Sequence, residues 1–297
     1  MSSTPLQDPE LPGGAIPRRV VSLVPSMTES LFELGLGAAL AGVSDYCTRP
    51  AESLAGLPRV GGPKNARVGD IVMLQPDLVI ANREENTPEI VEALCRAGVP
   101  VWLTFPLTVR DALDDLWKLA RLFRSEAALL RVQTLERSVE WSELALEDFP
   151  PVRYFCPVWQ ECDAQGEGWW MTFNAQTYSS DLLRAAGGEN VFAARERRYP
   201  LEADLGRLPA EPARGRDVRY PRVTRAEILA AQPEVILLPD EPYAYAPSDL
   251  ARFREWFAET PAGQNNKIYT VDGSLVTWCG TRLALALNEL PGLLRQE

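Results

Sequence analysis

Two twelve-residue segments of this chain follow the same pattern. "DIVMLQPDLVIA" begins at Asp70, "EILAAQPEVILL" begins at Glu227, and the two align without a gap. Each contains an acidic residue, a helical stretch, Gln-Pro, a second acidic residue and an apolar run, which is the order of a helix followed by a buried strand. The repeat predicts two related α/β lobes in one chain, although two short matches also arise by chance.

Strand and helix patterns alternate around both copies of the repeat. The stretch "VVSLVPSMTES" at 20–30 predicts a buried strand that turns directly into a helix, with Ser26 and Glu29 as a capping box. The alternation continues through "LAGVSDY", "PDLVIA", "PEIVEALCRAG" and "VPVWLTF", and resumes after Pro150 with "VRYFCPVW", "SSDLLRAAGG", "EVILLPD", "DLARFREWFAE" and "KIYTVDG". We therefore expect two Rossmann-like lobes with parallel-type sheets, at 18–107 and 150–297.

The segment between the lobes contains neither Gly nor Pro over 107–149, and Thr108 with Asp111 forms a second capping box at its start. This composition predicts a single long helix over 108–149 that joins the lobes. Its apolar face runs through Leu113, Leu116, Ala120, Phe123, Ala127 and Leu130. A dimeric coiled coil is the alternative, but Thr134 and Arg137 interrupt the apolar series.

Charge and composition exclude several classes of function. The formal net charge is −11, which argues against a nucleic-acid partner. The chain has no His, so His-dependent catalysis and His-ligated metal sites are excluded, and we expect neither a metal site nor a cofactor. Five cysteines without a C-x-x-C pair fit a reducing compartment.

The N-terminal stretch "MSSTPLQDPELPGGAIPRR" lacks the basic and apolar regions of a signal peptide. We expect residues 1–17 to form a disordered arm. No window approaches the ~18 apolar residues that a membrane-spanning helix needs. The sequence as written therefore predicts a cytoplasmic protein, with an extracytoplasmic one as the alternative if an upstream start was missed.

Several segments together resemble a known family. These are "SLVPSMTESLFELGLGAALAGVSDY", "LPRVGG", "DIVMLQPDLVIA", the long helix, "SSDLLRAAGGENVFA" and "YPRVTRAEILAAQPEVILL", and the resemblance covers about residues 18 to 295. In this order they are similar to the class III solute-binding proteins, the helical-backbone receptors of ABC importers for cobalamin, haem and ferric siderophores. The resemblance implies two lobes joined by one helix, with the ligand in the cleft between them.

The resemblance also implies roles for individual residues. It places Pro25, Ser26 and Thr28 in the first-lobe turn that lines the cleft, and it matches Tyr46 and Tyr220 to aromatic residues of the two cleft walls. Asp70 and Glu227 match the acids that dock on basic residues of the permease; the alternative is that each only stabilises its helix N-terminus. Aromatic residues expected near Lys64 and Asn82 in a cobalamin receptor are absent, which favours a ferric siderophore.

Further ligand-binding candidates come from aromatic and polar residues in turn-like stretches such as "GEGWWMTFN" and "PDEPYAYAP". About half of the ten aromatic residues of the second lobe are expected to be core instead. The aromatic candidates are Trp170, Tyr199, Tyr243, Tyr245 and Trp278. The polar candidates are Asn82, Arg83 and Arg282.

The sequence thus predicts a monomeric solute-binding protein for a metal chelate or corrinoid-like molecule, with a possible ABC permease partner and no catalytic residues. The alternative is a cytoplasmic enzyme or scaffold that has kept the fold. Asp240 and Glu241 are the best acid pair for an enzyme, but adjacent residues of a strand point in opposite directions.

Overall fold

The computed structural model describes residues 4–6, 8–9, 11, 14–162 and 168–295. These residues form two compact units. The first comprises the described residues up to 106 together with 110–138 and 278–283, and the second comprises 107–109, 139–277 and 284–295. None of the described helices is both long enough and apolar enough to cross a bilayer.

The first unit is built on a four-stranded sheet in which all strands are parallel, in the order β2-β1-β3-β4. Each strand is a short apolar run, and helices cover the sheet because a parallel sheet buries both faces. The elements are β1 (Val20–Ser22), α1 (Pro25–Glu33), β2 (Leu40–Val43), α2 (Ala51–Leu54), α3 (Val68–Met73), β3 (Leu78–Asn82), α4 (Pro88–Arg96), β4 (Val101–Thr104), α5 (Val109–Leu122) and α6 (Glu126–Leu146), the last of which continues into the second unit.

The second unit contains a parallel sheet in the order β11-β10-β5-β8 and a three-stranded antiparallel sheet in the order β6-β7-β9. The elements are β5 (Val152–Phe155), β6 (Trp159–Cys162), β7 (Gly168–Met171), α7 (Tyr178–Ala185), β8 (Gly188–Asn190), α8 (Leu201–Asp204), β9 (Arg222–Thr224), α9 (Arg225–Ala231), β10 (Val235–Pro239), α10 (Pro247–Trp256), α11 (Pro261–Gln264), β11 (Ile268–Val271), α12 (Ser274–Thr277) and α13 (Leu283–Arg295). The prediction of an α/β fold with two parallel-type sheets is confirmed.

The two parallel sheets have the same strand order. When β5, β8, β10 and β11 are matched to β1, β2, β3 and β4, both sheets connect second, first, third and fourth strand in turn. The repeated sequence segments occupy equivalent positions, since each covers a helix and the third strand of its sheet. The equivalence that the repeat predicted is therefore confirmed within each unit.

Equivalent hydrogen bonds tie the repeat to the first strand of each sheet. In the first unit Asp77 accepts from the backbone N–H of Arg19 (3.1 Å) and donates its own N–H to the Arg19 carbonyl (3.0 Å). The Arg19 guanidinium donates to the Leu74 carbonyl at the end of α3 (2.6 Å). The second unit uses Glu234, Arg153 and Ala231 in the same three roles (2.8, 2.7 and 2.8 Å).

The predicted single helix over 108–149 is wrong, because α5 ends at Leu122 and α6 begins at Glu126. Arg124 has a φ of 50°, and the backbone N–H groups of Arg124 and Ser125 donate to the carbonyls of Arg121 and Ala120, which is a Schellman ending. The Ser125 hydroxyl then accepts from the N–H of Ala128 (3.2 Å) and starts α6.

The break changes which face of α6 is buried. Leu113, Leu116 and Ala120 of α5 lie in the core as predicted, but Leu130 of α6 is 64% exposed. The buried residues of α6 are instead Ala128, Val132, Leu135 and Val139.

Part of the N-terminal arm contacts the first sheet, and its predicted disorder stays a prediction. Leu6 pairs with Trp102 of β4 in a parallel bridge, and its N–H donates to the Val101 carbonyl (2.7 Å). Leu11 is buried. The arm thus covers the edge strand of the first sheet, which otherwise presents unpaired backbone groups. Residues 1–3, 7, 10, 12 and 13 of the predicted arm lie outside the described residues.

Asp115 of α5 is a buried carboxylate in the first unit. Its neighbour is Lys118, whose Nζ lies 3.7 Å from Asp115 and 3.1 Å from Asp8 of the arm. Burial, together with the negative charge of Asp111, raises the pKa of Asp115 to about 6. The positive charge of Lys118 opposes this increase. The folded protein therefore holds this proton more tightly than the unfolded chain does.

We expect this carboxyl to make the free energy of unfolding decrease as the pH rises from about 4 to about 6, because the pKa is higher in the folded state. Asp115→Asn should remove this component, worth at most about 3 kcal/mol for a shift of two units. Urea denaturation at several pH values measures it, with the exposed Asp114→Asn as the control. An unchanged pH dependence in the Asp115→Asn protein would show that the carboxyl titrates normally.

Candidate functional site

The carboxyl ends of parallel strands meet at one edge of a sheet, and ligands of open α/β sheets bind there. In the first unit α1 begins at Pro25 directly after β1, Tyr46 follows β2, Arg83 follows β3 and Phe105 follows β4. These residues therefore share the carboxyl edge of the first sheet.

Tyr46 is an exposed aromatic residue of this edge, with 66% of its surface accessible. Its ring lies against Gly62, where an added Cβ would approach Tyr46 Cε2 to 3.1 Å. The N–H of Asp45 donates to the carbonyl of Gly61 (2.9 Å), which fixes the turn that carries the ring. Tyr46 thus presents a supported aromatic face to solvent and stays a candidate for ligand binding.

A segment from the C-terminal part of the chain, residues 278–283, lies against α1 and is named here the return segment. Arg282 donates to the Glu29 carboxylate (2.8 Å), and their side chains are only 8% and 7% exposed. The N–H of Thr281 donates to the Ser30 hydroxyl (3.1 Å). Gly280 has a φ of +124° and passes so close to Ser30 that a Cβ would lie 2.4 Å from its Oγ.

Two predictions change because of the return segment. Arg282 was expected to bind ligand, but its guanidinium is buried in the ion pair with Glu29. Ser26 and Glu29 were expected to form a capping box, but the N-cap of α1 is Val24 and makes no side-chain cap. The reason is that Pro25 starts the helix earlier, so Glu29 faces the return segment instead.

Trp278 is the aromatic residue that the return segment brings to this edge. The guanidinium carbons of Arg49 and Arg282 lie 5.8 and 5.7 Å from its ring. The next residue, Cys279, has its sulfur 3.7 Å from the Ser26 hydroxyl at the start of α1. Trp278 therefore lies at the helix start in the same unit, and its neighbour Arg49 was not among the predicted residues.

Other predicted residues of the first unit are structural. Thr28 is fully buried, and its hydroxyl lies within hydrogen-bond distance of Ser22 Oγ (2.8 Å) and the Val24 carbonyl (3.0 Å). Ser26 is 3% exposed. Pro25 occupies the first turn of α1 and is buried as well. These residues shape the turn rather than offer side chains to a ligand.

Asn82 and Arg83 are adjacent at the end of β3, but their side chains make different contacts. Asn82 is buried and donates to Thr104 Oγ1 (3.2 Å), because it ends a central strand. Arg83 stacks on Phe105, with its guanidinium carbon 4.8 Å from the ring centre. Arg83 and Phe105 also line a cavity of 540 Å³ together with Asp111, Asp115 and Lys118. Arg83 stays a candidate, whereas Asn82 does not.

In the second unit, two predicted aromatic residues belong to the core. Trp170 is 3% exposed and makes edge contacts with the rings of Phe253, Trp256 and Phe257 at 5.9, 5.6 and 5.5 Å. Tyr245 is also 3% exposed. The stretch "GEGWWMTFN" was read as a turn, but it contains strand β7, whose alternation turns Trp170 into the core.

Three predicted aromatic residues of this unit are only half-buried. Tyr243 accepts from Gln160 Nε2 (2.9 Å), and its ring lies 5.5 Å from that of Trp159, an exposed residue absent from the predicted set. Tyr220 lies beside the Arg219 guanidinium at 5.4 Å. Tyr199 donates to the Asp217 carbonyl (2.6 Å). Tyr199, Tyr220 and Tyr243 remain candidates.

The two predicted docking acids occupy the same helical position, the third residue of α3 and of α9. Asp70 is half exposed and pairs with Arg67 (2.5 Å). Glu227 closes a capping box with Thr224 and also pairs with Arg195 (3.2 Å). We expected neither acid to have a partner beyond its own helix end. This was wrong for Glu227, whereas Asp70 pairs with Arg67, the N-cap residue of its own helix.

The acid pair of the enzyme alternative is structural. Asp240 accepts from the N–H of Gly273 (2.7 Å), and Glu241 accepts from the Thr277 hydroxyl (3.4 Å). Among the described residues there is no cluster of three or more metal-ligating side chains. The geometry offers aromatic faces and guanidinium groups, which are side-chain types suited to contacting flat or acidic ligands.

Known proteins match this chain over most of its length. Residues 20–275 match the family model described as periplasmic binding protein. A vitamin B12-binding protein of Vibrio parahaemolyticus is 28% identical over 287 residues, covering 92% of this chain and 87% of the relative. One of Vibrio cholerae is 25% identical over 256 residues, covering 86% and 80%.

Solved structures share the fold. The periplasmic vitamin B12 binding protein of Vibrio cholerae superposes with a TM-score of 0.73 at 23% identity, covering 94% of this chain and 97% of that one. A periplasmic heme-binding protein from Roseiflexus has a TM-score of 0.71 at 22% identity, covering 93% and 97%. The enzyme or scaffold alternative is not favoured, and the chain belongs to the periplasmic binding protein family, as a solute-binding protein and not an enzyme.

Proposed function

We propose that this protein binds a metal chelate, of the ferric siderophore, haem or cobalamin-like class, and delivers it to an ABC permease. The observation that carries the proposal is the pair of aromatic residues at the carboxyl edge of the first sheet. Tyr46 is exposed and supported by glycine backbone, and Trp278 is held beside two guanidinium groups. Flat, partly apolar ligands are bound by such faces, and directed hydrogen bonds fix their orientation.

The preference among ligand classes rests on residue types that are missing from the chain. The aromatic residues that the family resemblance implies near Lys64 and Asn82 in a cobalamin receptor are absent, and the Asn82 amide is bonded to Thr104. With no His in the chain, a bound iron would keep the chelator's own ligands or take a Tyr oxygen. The missing aromatic residues are the reason to prefer a ferric siderophore over cobalamin.

The proposal includes an extracytoplasmic location. The relatives named above are periplasmic proteins, and this supports the second of the two locations considered from the sequence rather than the cytoplasm. A monomeric state and the lack of a nucleic-acid partner stay predictions.

We expect Tyr46→Ala and Trp278→Ala each to weaken chelate binding by about tenfold or more, because each removes an aromatic contact worth at least about 1.4 kcal/mol. Isothermal titration with haem, cobalamin, ferric citrate and ferrioxamine measures the affinity. Trp141→Ala is the matched control, since Trp141 is 70% exposed on α6 and not at a carboxyl edge.

Thermal unfolding of each variant shows whether it is folded, and Trp278→Phe should recover most of the affinity. If no chelate in the panel binds the wild-type protein, the proposed ligand class is wrong. If binding occurs and neither Tyr46→Ala nor Trp278→Ala weakens it, the ligand lies elsewhere.

The proposal also assigns the permease contact to Asp70 and Glu227. Their support is positional, because each is the third residue of an equivalent helix and each keeps a third or more of its side chain exposed. Their ion pairs with Arg67 and Arg195 orient the carboxylates without burying them. Basic groups of a permease would compete for the exposed oxygens.

We expect Asp70→Asn combined with Glu227→Gln to abolish binding to right-side-out membrane vesicles of the source organism, since both charges are lost while the hydrogen-bonding shape is kept. Sedimentation of labelled protein with the vesicles measures this. Glu89→Gln with Glu255→Gln removes two exposed acids elsewhere and should leave binding intact. Equal vesicle binding by the two double variants would leave Asp70 and Glu227 as helix-end residues only.

A further inference from the structure

The connection between β8 and β9 concentrates positive charge on the second unit. Residues 195–222 contain eight arginines and five acidic residues, although the formal net charge of the chain is −11. The connection ends at Arg222 in β9, and β9 pairs with β7 in the small antiparallel sheet. The antiparallel sheet follows the carboxyl end of β5 in the chain. The hydroxyl of Thr172, just after β7, donates to the carbonyl of Cys156, just after β5 (2.8 Å), and so connects the two sheets at this end. The positive surface therefore lies at the ligand-binding edge expected for this unit.

Asp204 holds the connection in place. Its carboxylate is fully buried and accepts from Arg195 Nη1 (3.0 Å) and from the backbone N–H of Arg198 (2.9 Å). Its second oxygen accepts from the backbone N–H of Arg222 (2.8 Å). One carboxylate thus binds both the beginning and the end of the connection, so the arginines around it are positioned before any ligand arrives.

Tyr199 forms the base of this arginine group. The guanidinium carbons of Arg197 and Arg216 lie 4.4 and 3.9 Å from its ring centre. The Tyr199 hydroxyl donates to the Asp217 carbonyl, which fixes the ring. A guanidinium held over a ring keeps its N–H groups available in its own plane, where carboxylate and phosphate oxygens bind.

Arg222 has unused hydrogen-bonding capacity. Its guanidinium carbon lies 5.9 Å from the Trp169 ring, and Nη1 donates to the Tyr220 carbonyl (3.4 Å). Its Nε is buried and has no hydrogen-bond partner among the described residues. A buried donor without a partner is costly, and an acceptor group from a ligand would satisfy it.

The charges around Arg222 are not balanced at close range. Burial lowers the pKa of the Arg222 guanidinium, and the positive charge of Arg197 lowers it further. Asp204, Tyr199 and Glu161 act in the opposite direction and raise this pKa. No carboxylate of the described residues lies within 4.0 Å of the guanidinium nitrogens of Arg197 or Arg222. By contrast, Arg219 is neutralised by two contacts with Asp217, and Arg216 lies 3.7 Å from Glu211.

We infer that Arg197 and Arg222 form an anion-binding site in the second unit, with Tyr199 as its base, for a carboxylate or phosphate group of the bound chelate. The inference rests on the proposed function and narrows its substrate class to chelates that carry free acidic groups. Guanidinium groups bind such oxygens through paired, charge-assisted hydrogen bonds, which neutral chelates cannot form.

The test uses a ligand pair that differs only in charge: haem, with two free carboxylates, and haem dimethyl ester, with none. Wild-type protein should bind haem at least about tenfold more tightly, as expected for one charge-assisted contact of about 1.4 kcal/mol or more. The preference should vanish in Arg197→Gln combined with Arg222→Gln. It should persist in Arg254→Gln, which removes one exposed charge from α10 of the same unit. If the double variant melts early, Arg197→Gln alone replaces it.

The outcomes separate this inference from the proposed function. Equal binding of both haem forms by wild type, unchanged in the variants, would overturn the anion site and leave chelate binding intact. If no chelate binds, the proposed function fails, and titration with citrate and inorganic phosphate then decides the anion site alone. Binding of citrate or phosphate to the wild-type protein that is lost in the arginine variants supports the site. If neither anion binds the wild-type protein, the site is overturned.

Discussion

The buried ion pair between Glu29 and Arg282 is the interaction on which the binding edge of the first unit depends. The two residues are 253 positions apart in sequence and 2.8 Å apart in space. Burying two charges costs several kcal/mol in solvation, so their mutual attraction and neighbouring hydrogen bonds must offset that cost. Removing either partner would leave the other charge buried alone. The pair therefore holds the return segment against α1 with high positional specificity.

That constraint has a direct consequence for binding. Trp278 begins the return segment, and one of the two guanidinium groups beside its ring belongs to Arg282 itself. Gly280 permits the close approach to Ser30 because it has no Cβ and adopts a positive φ. The aromatic edge of the first unit is thus completed by residues from the far end of the chain, which a local fragment could not reproduce.

Equivalent helices of the two units, α3 and α9, end with the same backbone geometry. In each, a helix ends in a Gln at a φ of 48°, Gln75 or Gln232, and a Pro follows. A left-handed Gln is unusual, because the region favours Gly. The arginine at the start of the first strand compensates by donating to the last carbonyls of the helix, as Arg19 and Arg153 do. This shared solution explains why the sequence repeat keeps its spacing.

Local patterns predicted the strands and most helices because alternation and apolar runs are set by nearby residues. The break at Arg124 was missed because an arginine in the left-handed region carries no residue signature, although Ser125 ahead of Glu126 was an available helix-start signal. Trp169 and Trp170 are adjacent and both buried, and the register of β7 decides that Trp170 is the one that packs in the cluster around Phe253.

Among the site residues, Tyr46 was predicted from the family resemblance, and the structure places it exposed in the turn after β2. Arg282 was not predicted correctly, since its partner is distant in sequence and no local pattern encodes a long-range ion pair. The same reason applies to Arg49 beside Trp278 and to Arg222 beside Trp169, because these residues are distant in sequence and meet only in the folded chain.

A double-mutant cycle on the free energy of unfolding tests the role of the ion pair most directly, using Glu29→Met, Arg282→Met and the double variant in urea denaturation. Each single variant should lose about 3 to 5 kcal/mol, because it leaves one charge buried alone. The double variant should lose clearly less than the sum, with a coupling energy of about 2 kcal/mol or more. Losses below about 1 kcal/mol that add up in the double variant would contradict the account, because they would show that the return segment is held by other contacts.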